Sequence, residues 1–151
     1  MNRSGKAGIV LLIVLAGMQF IPVNRNQQDE GTSSDFLQTY HPPANISTLL
    51  KNACYNCHSN HTDYPWYSYV QPVGWYLERH INKGKENLNL SAFDTYSSRR
   101  KRSKLKSMIH QVKDGGMPLS SYTLMHKEAR LSEDDKSTLI SYLDSLRDSA
   151  H

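Results

Sequence analysis

The sequence predicts an all-α domain preceded by a hydrophobic N-terminal helix. Apolar residues recur at helical spacing in the body of the chain, and no segment alternates apolar and polar residues as a half-buried strand would. The N-terminus carries a long uncharged apolar run. With 151 residues, of which 38% are hydrophobic, the chain is suited to a single globular domain.

Residues 1–23 have the pattern of an export signal, because Arg3 and Lys6 precede an apolar run from Ala7 to Val23. The run is slightly short for a bilayer, and no clear cleavage site follows it. Two interpretations therefore stay open, a signal anchor and a cleaved signal peptide. In both, the basic residues place the N-terminus in the cytoplasm and the body outside.

Residues 24–40 are polar and are predicted to be a linker, so that the folded domain comprises residues 41–151. Its first helix is predicted from Asn45, a candidate N-cap, through the second cysteine. The apolar face of this helix consists of Ile46, Leu49, Leu50, Ala53, Cys54 and Cys57. Both thiols are therefore expected to face the core.

Three further helices are predicted. The second has Pro72 in its first turn and ends near Gly84, and the third runs roughly from residue 98 to residue 114, where two glycines end it. The last helix begins at Ser132, with Asp135 at the reciprocal capping position. The prediction is a bundle of about four helices in the body.

The two cysteines of the chain lie in the stretch "CYNCH", residues 54–58. Cys-x-x-Cys-His is the signature of c-type haem attachment. Each thiol can add to one haem vinyl group and form a thioether, and His58 then lies under the iron as the proximal ligand. The motif predicts one covalently bound haem held by Cys54, Cys57 and His58.

Three other readings of the cysteines stay open. A thioredoxin-like redox pair is expected at a helix start after a strand, whereas these cysteines end an amphipathic helix. Zinc could use Cys54, Cys57, His58 and His61, although no second Cys or His pair closes such a site. A disulfide over so short a loop would add little stability.

Met117 is the predicted sixth ligand of the iron. It lies in a Gly-Gly-Met-Pro segment that cannot continue a helix, and a thioether favours ferrous iron. The alternative for Met117 is simple core packing. The other candidate ligands are Met125, His61, His110 and His126.

A basic run covers residues 99–106 and contains Arg99, Arg100, Lys101, Arg102, Lys104 and Lys106. Such a run is either a solvated helix face or a docking patch for an acidic redox partner or anionic lipid headgroups. No nucleic-acid partner is expected for an exported chain.

Two blocks of the sequence resemble the bacterial haem-binding domain family. Members of this family are membrane-anchored mono-haem c-type cytochromes related to class I cytochromes c. The two blocks are "CYNCHSNHTDYPWYSYVQPVGWYLERHINKGKENLNLS" and "GGMPLSSYTLMHKEARLSEDDK". The resemblance covers about residues 41–146. It implies a cytochrome c-like bundle around one haem, in which the first and last helices pack together. It implies attachment at Cys54 and Cys57, with His58 and Met117 as axial ligands.

The function expected from these features is single-electron transfer in the bacterial cell envelope, by a carrier on the periplasmic side of the inner membrane and not by an enzyme. Its partners would be envelope redox proteins. The alternative is a haem enzyme or gas sensor with a displaceable sixth ligand, which would need His110 or His126 as a distal acid–base group. A third reading is an assembly module whose haem is structural.

Overall fold

A computed structural model of the chain describes residues 3–28 and 32–149. Within these ranges the chain is helical and forms no strand, and the β-type pairing there is one isolated antiparallel bridge between Gln27 and His61. The predicted all-α fold class is confirmed.

Helix α1 (Arg3–Met18) is the predicted N-terminal helix, and its apolar side chains are exposed. Across residues 3–28 and 32–149, no helix combines the length and apolarity needed to cross a membrane.

Among the described residues, the body contains three helices of at least 15 residues and several shorter ones. The helices are α2 (Phe36–Tyr40), α3 (Ala44–Leu50), α4 (Asn56–His58), α5 (Val73–Asn87), α6 (Ser98–Lys113), α7 (Ser120–Met125) and α8 (Glu133–Ser149). A π-helical turn (Lys51–Tyr55) joins α3 to α4 without a break, and 3-10 turns lie at Trp66–Tyr69, Leu90–Thr95 and Lys127–Ala129. The predicted first helix is therefore one continuous helical segment.

The core lies where α6 and α8 pack against each other and α3 packs against α8. Leu50, Leu105 and Leu139 contribute side chains with at most 1% exposure. Phe36 of α2 closes the core against Phe93, with ring centroids 5.0 Å apart in an edge-to-face arrangement. The predicted packing of the first body helix on the last one is present.

Two helix ends follow the predicted local rules. At the start of α8, the Asp135 amide donates to Ser132 Oγ and the Ser132 amide donates to Asp135 Oδ2, which is the reciprocal cap. After α6, Gly115 adopts a left-handed φ of +69°, which glycine tolerates best. Helix α5, in contrast, passes Gly84 and ends at Asn87.

Part of the predicted linker is packed against the body. We call residues 24–28 the strap. In its centre, buried Asn26 donates from Nδ2 to the Ser59 carbonyl and to Thr62 Oγ1, each at 2.9 Å. Its Oδ1 accepts from Lys85 Nζ at 2.6 Å. The strap therefore ties the loop after His58 to helix α5.

Replacement of Asn26 tests the strap. We expect Asn26→Ala to lower the free energy of unfolding by about 1–3 kcal/mol, because two buried groups, on Ser59 and Thr62, and the half-buried Lys85 ammonium each lose a hydrogen-bond partner. The matched control is Gln28→Ala, since Gln28 is exposed and contacts Asn60 through its backbone amide. Chemical denaturation of both variants measures the difference, and equal losses would show that the Asn26 side chain does not hold the strap.

Candidate functional site

The Cys-x-x-Cys-His motif lies at the C-terminal end of the continuous helical segment from α3 to α4. Cys54 is in the π-helical turn, and Cys57 and His58 are in α4. π-Helical turns occur preferentially at functional sites, where they locally widen the helix. The sequence predicts both cysteines on one face of a regular α-helix. The π-helical turn changes the number of residues per turn at Cys54, so this regular spacing is altered at the motif itself.

The two thiols are unpaired and have different surroundings. Cys54 packs against the hydrophobic core, whereas Cys57 lines a cavity. Burial, with a smaller contribution from Cys57, raises the pKa of Cys54 to about 12, and burial also raises the pKa of Cys57. Redox-active and zinc-binding cysteines need accessible thiolates, so these neutral thiols do not favour either reading.

The imidazole of His58 is oriented by backbone carbonyls. Its Nδ1 lies 3.0 Å from the Gly84 oxygen and 3.2 Å from the Leu88 oxygen, so Nδ1 carries the proton and donates it. Burial lowers the pKa of His58, which keeps the ring neutral near pH 7. Nε2 is then left with a lone pair, as in metal-ligating histidines that bond a carbonyl through the other nitrogen.

Gly84 allows α5 to approach α4 at the motif. A Cβ atom at this position would lie 2.5 Å from the Cys57 carbonyl oxygen and 3.5 Å from His58 Cε1. A backbone carbonyl cannot rotate away as a flexible side chain can. The absence of a side chain at Gly84 therefore sets the distance between the two helices and the contact of His58 with α5.

A cavity of about 310 Å³ lies beside Cys57, between α5 and α7. Leu77 and Ile81 of α5 form one part of its wall, and Leu119 and Met125 form another. Apolar walls with few polar groups are typical of cofactor sites. Of the three motif residues, Cys57 lines this cavity, whereas Cys54 and His58 do not. Two unpaired thiols and a neutral imidazole with one available nitrogen, on a helical segment next to an apolar cavity, are together suited to a haem.

A family model described as a haem-binding domain matches residues 13–145. The chain belongs to this family. Haem binding is thereby shown, and the matched range extends from α1 through the strap and the motif to α8. No curated protein and no solved structure matches the chain significantly.

Tyr67 and His126, which line the cavity of the haem-binding domain, form a chain of hydrogen bonds with Glu128. The Tyr67 hydroxyl lies 2.8 Å from His126 Nε2, and His126 Nδ1 lies 3.0 Å from Glu128 Oε1. The ring of Tyr122 stacks on His126 at 4.3 Å. Both nitrogens of His126 therefore have partners, so ligation of iron by His126 would require loss of one of these bonds.

The other predicted ligands have different positions in the haem-binding domain. Met117 is half-buried in the loop after α6, and its amide donates to the Gln111 carbonyl. The cavity wall includes Cys57 and Met125 but not Met117. His110 is exposed and pairs with Asp114 at 3.1 Å. His61 is half-buried at the bridge to the strap, with Asp63 3.8 Å away.

His80 lines the cavity and was not predicted from the sequence. It belongs to α5, and its Nδ1 lies 2.9 Å from the Tyr76 carbonyl oxygen one turn earlier. No local motif marks it, because its position depends on how α5 packs. Among residues 3–28 and 32–149, no three His, Cys, Asp or Glu side chains converge as a metal site, so the zinc reading gains no support.

The contact at Gly84 can be tested in the haem-binding domain directly. Alanine is favoured over glycine in a helix by about 1 kcal/mol, whereas overpacking against a backbone atom costs about 1–3 kcal/mol. We expect Gly84→Ala to lower the free energy of unfolding, because the clash exceeds the gain in propensity. Chemical denaturation followed by circular dichroism measures it.

The matched control for this prediction is Gly17→Ala in α1, where a Cβ atom meets no atom within 4 Å. We expect this variant to be unchanged or slightly more stable. If Gly84→Ala were as stable as Gly17→Ala, the close approach of α5 to α4 would not constrain the fold.

Proposed function

We propose that the chain is a mono-haem c-type cytochrome that transfers single electrons outside the cytoplasm. The observation that carries the proposal is the state of the motif: Cys54 and Cys57 are unpaired, and the hydrogen bonds of His58 leave its Nε2 available. The membership in the haem-binding domain family supports haem as the occupant. Bound haem supplies a reversible one-electron change at its iron.

In this proposal, Cys54 and Cys57 hold the porphyrin covalently. Each S–H adds across one vinyl double bond, so sulfur bonds to one carbon, hydrogen goes to the other, and nothing is released. The two thiols lie on one helical segment, Cys57 at the cavity and Cys54 towards the core. The porphyrin would thus be fixed along the helix end.

His58 is proposed as the proximal ligand. The carbonyls of Gly84 and Leu88 fix its ring orientation and accept hydrogen bonds from its Nδ1, which increases the basicity of Nε2. Because α5 supplies the Gly84 carbonyl and also Leu77 and Ile81 of the cavity wall, one helix positions both the imidazole and the porphyrin pocket.

Met117 is proposed as the distal ligand. The left-handed Gly115 reverses the chain after α6, and Leu119, two residues beyond Met117, lines the cavity. Its segment is therefore adjacent to the pocket. A methionine ligand would saturate the iron and suit a carrier, since no substrate then reaches the metal.

One observation favours a second candidate, a haem enzyme or gas sensor. The cavity wall carries His126, bonded to Tyr67 and Glu128, which is an arrangement that can accept or donate a proton. His110, the other predicted acid–base residue, is exposed and bonded to Asp114. His126 is thus the residue that this alternative requires.

We further propose that α1 associates the protein with the inner membrane of a bacterial envelope, with the body on the periplasmic side. The basic run on α6 would contact an acidic redox partner. Lys101 is paired with Asp94, and Arg100 stacks on Tyr96 at 4.3 Å, while Arg99 and Lys106 are exposed. These exposed cations support the patch.

Covalent attachment is tested by mass. Expressed with a haem-attachment system, the chain is expected to gain the mass of one haem and to keep it after denaturation. Cys54→Ser and Cys57→Ser should each remove one thioether and shift the reduced haemochrome band, and the double variant should lose the covalent haem. A wild-type chain without covalent haem under these conditions would refute the c-type assignment.

The distal ligand is tested by spectroscopy. In Met117→Ala, the weak far-red band that reports a sulfur ligand on ferric iron is expected to disappear, and ferrous carbon monoxide binding should increase. Met125→Ala is the matched control, since Met125 lines the cavity and should leave the band unchanged. Loss of the band in Met125→Ala alone would transfer the role to Met125, and high-spin iron in the wild type would favour the enzyme or sensor.

A further inference from the structure

Three apolar side chains are exposed together on the segment between the motif loop and α5. Trp66 is 76% exposed, Tyr69 is 61% exposed and Val70 is 47% exposed. We call these three residues the aromatic collar. None of them lines the cavity beside Cys57, so a haem in that cavity would not be what covers them.

Helix α1, which lies next to the collar, has a strongly apolar surface. Its residues from Ile9 to Leu15 are all apolar and all exposed, with Leu12 and Ile13 each at 66%. Seven consecutive helical residues point in all directions around the axis. A protein partner would cover one side of such a helix, whereas the apolar part of a bilayer can cover every side.

Hydrogen bonds hold the collar next to the C-terminal end of α1. Gln19 Nε2 donates to the Gln71 carbonyl at 3.2 Å, and the Gln71 amide donates to Gln19 Oε1 at 2.9 Å. Gln71 directly follows Val70 of the collar. A reciprocal pair of this kind fixes the direction in which α1 leaves the body.

Arg25 of the strap adds a charge at the same place. Its guanidinium carbon lies 4.4 Å from the ring centroid of Tyr64 and 3.9 Å from that of Tyr69, and Nη1 donates to Ser68 Oγ. Tryptophan, tyrosine and arginine next to an apolar helix are typical of the interface between lipid and water. The composition therefore matches a headgroup layer better than a second protein.

We propose that the lipid surface covers the aromatic collar, so that the haem-binding domain docks onto the bilayer with which α1 associates. This inference rests on the membrane association in the proposed function. Val73, three residues beyond Val70, is exposed and lines the cavity. Docking would therefore bring the rim of the haem cavity to the lipid surface.

The test uses the full haem-loaded chain in nanodiscs of zwitterionic phosphatidylcholine whose acyl chains carry a diazirine near the headgroup. After irradiation, peptide mass spectrometry locates the lipid adducts. Adducts are expected on α1 and on the collar, and high salt should not remove them, because apolar burial is insensitive to screening.

Two variants make the test specific. In Trp66→Ser/Tyr69→Ser, adducts at Val70 and Val73 are expected to fall about tenfold, because most of the apolar area that would enter the lipid is removed. The matched control is Arg99→Ser/Lys106→Ser on the basic run, which should leave collar adducts unchanged.

Other outcomes overturn the inference in distinguishable ways. Adducts on α1 without adducts on the collar would keep the membrane association and exclude docking. Adducts on α6 in anionic nanodiscs, lost in high salt, with a bare collar would assign docking to the basic run. Self-association of the chain through the collar would also exclude docking of the collar onto lipid. The absence of adducts on α1 would exclude the membrane association on which the inference rests. The absorption spectrum of each sample tests haem loading separately.

Discussion

The contact between the Cys57 carbonyl and Gly84 is the constraint on which the haem site depends. It allows α5 to approach the motif so closely that the Gly84 carbonyl accepts a hydrogen bond from His58 Nδ1. The same approach places Ile81 of α5 on the wall of the cavity that Cys57 also lines. One close helix contact thus orients the imidazole and shapes the pocket.

The loop after His58 is held by polar contacts in place of apolar packing. Ser59 and Thr62 are buried and bonded to Asn26 of the strap, while the Asn60 amide donates to Ser91 Oγ at 3.0 Å. Buried polar groups need hydrogen-bond partners, so the loop after His58 and the two segments that contact it must be aligned with one another for all of these bonds to form. Asn26 of the strap and Ser91 of the Leu90–Thr95 turn therefore stabilise the loop after the motif through polar contacts.

Different parts of the candidate site could be predicted to different extents. Cys54, Cys57 and His58 form a contiguous motif, so their proximity follows from helical geometry and needs no tertiary information. The loop around Met117 predicts an axial ligand there, and the ligation of iron by Met117 stays a prediction. The bonding of Tyr67 to His126 could not be predicted, because 59 residues separate them and no local spacing reports the contact.

The sequence by itself determined the all-α class, the position of the motif on a helix end and the caps at Ser132 and Gly115, because these depend on neighbours within a few residues. Only the tertiary structure decided that the polar segment of residues 24–40 contains buried Asn26 and Phe36. Composition indicates how polar a segment is, but burial depends on which partners the fold places opposite each group. For the same reason, the cavity and the exposed collar became visible once α5, α7 and α1 had their positions.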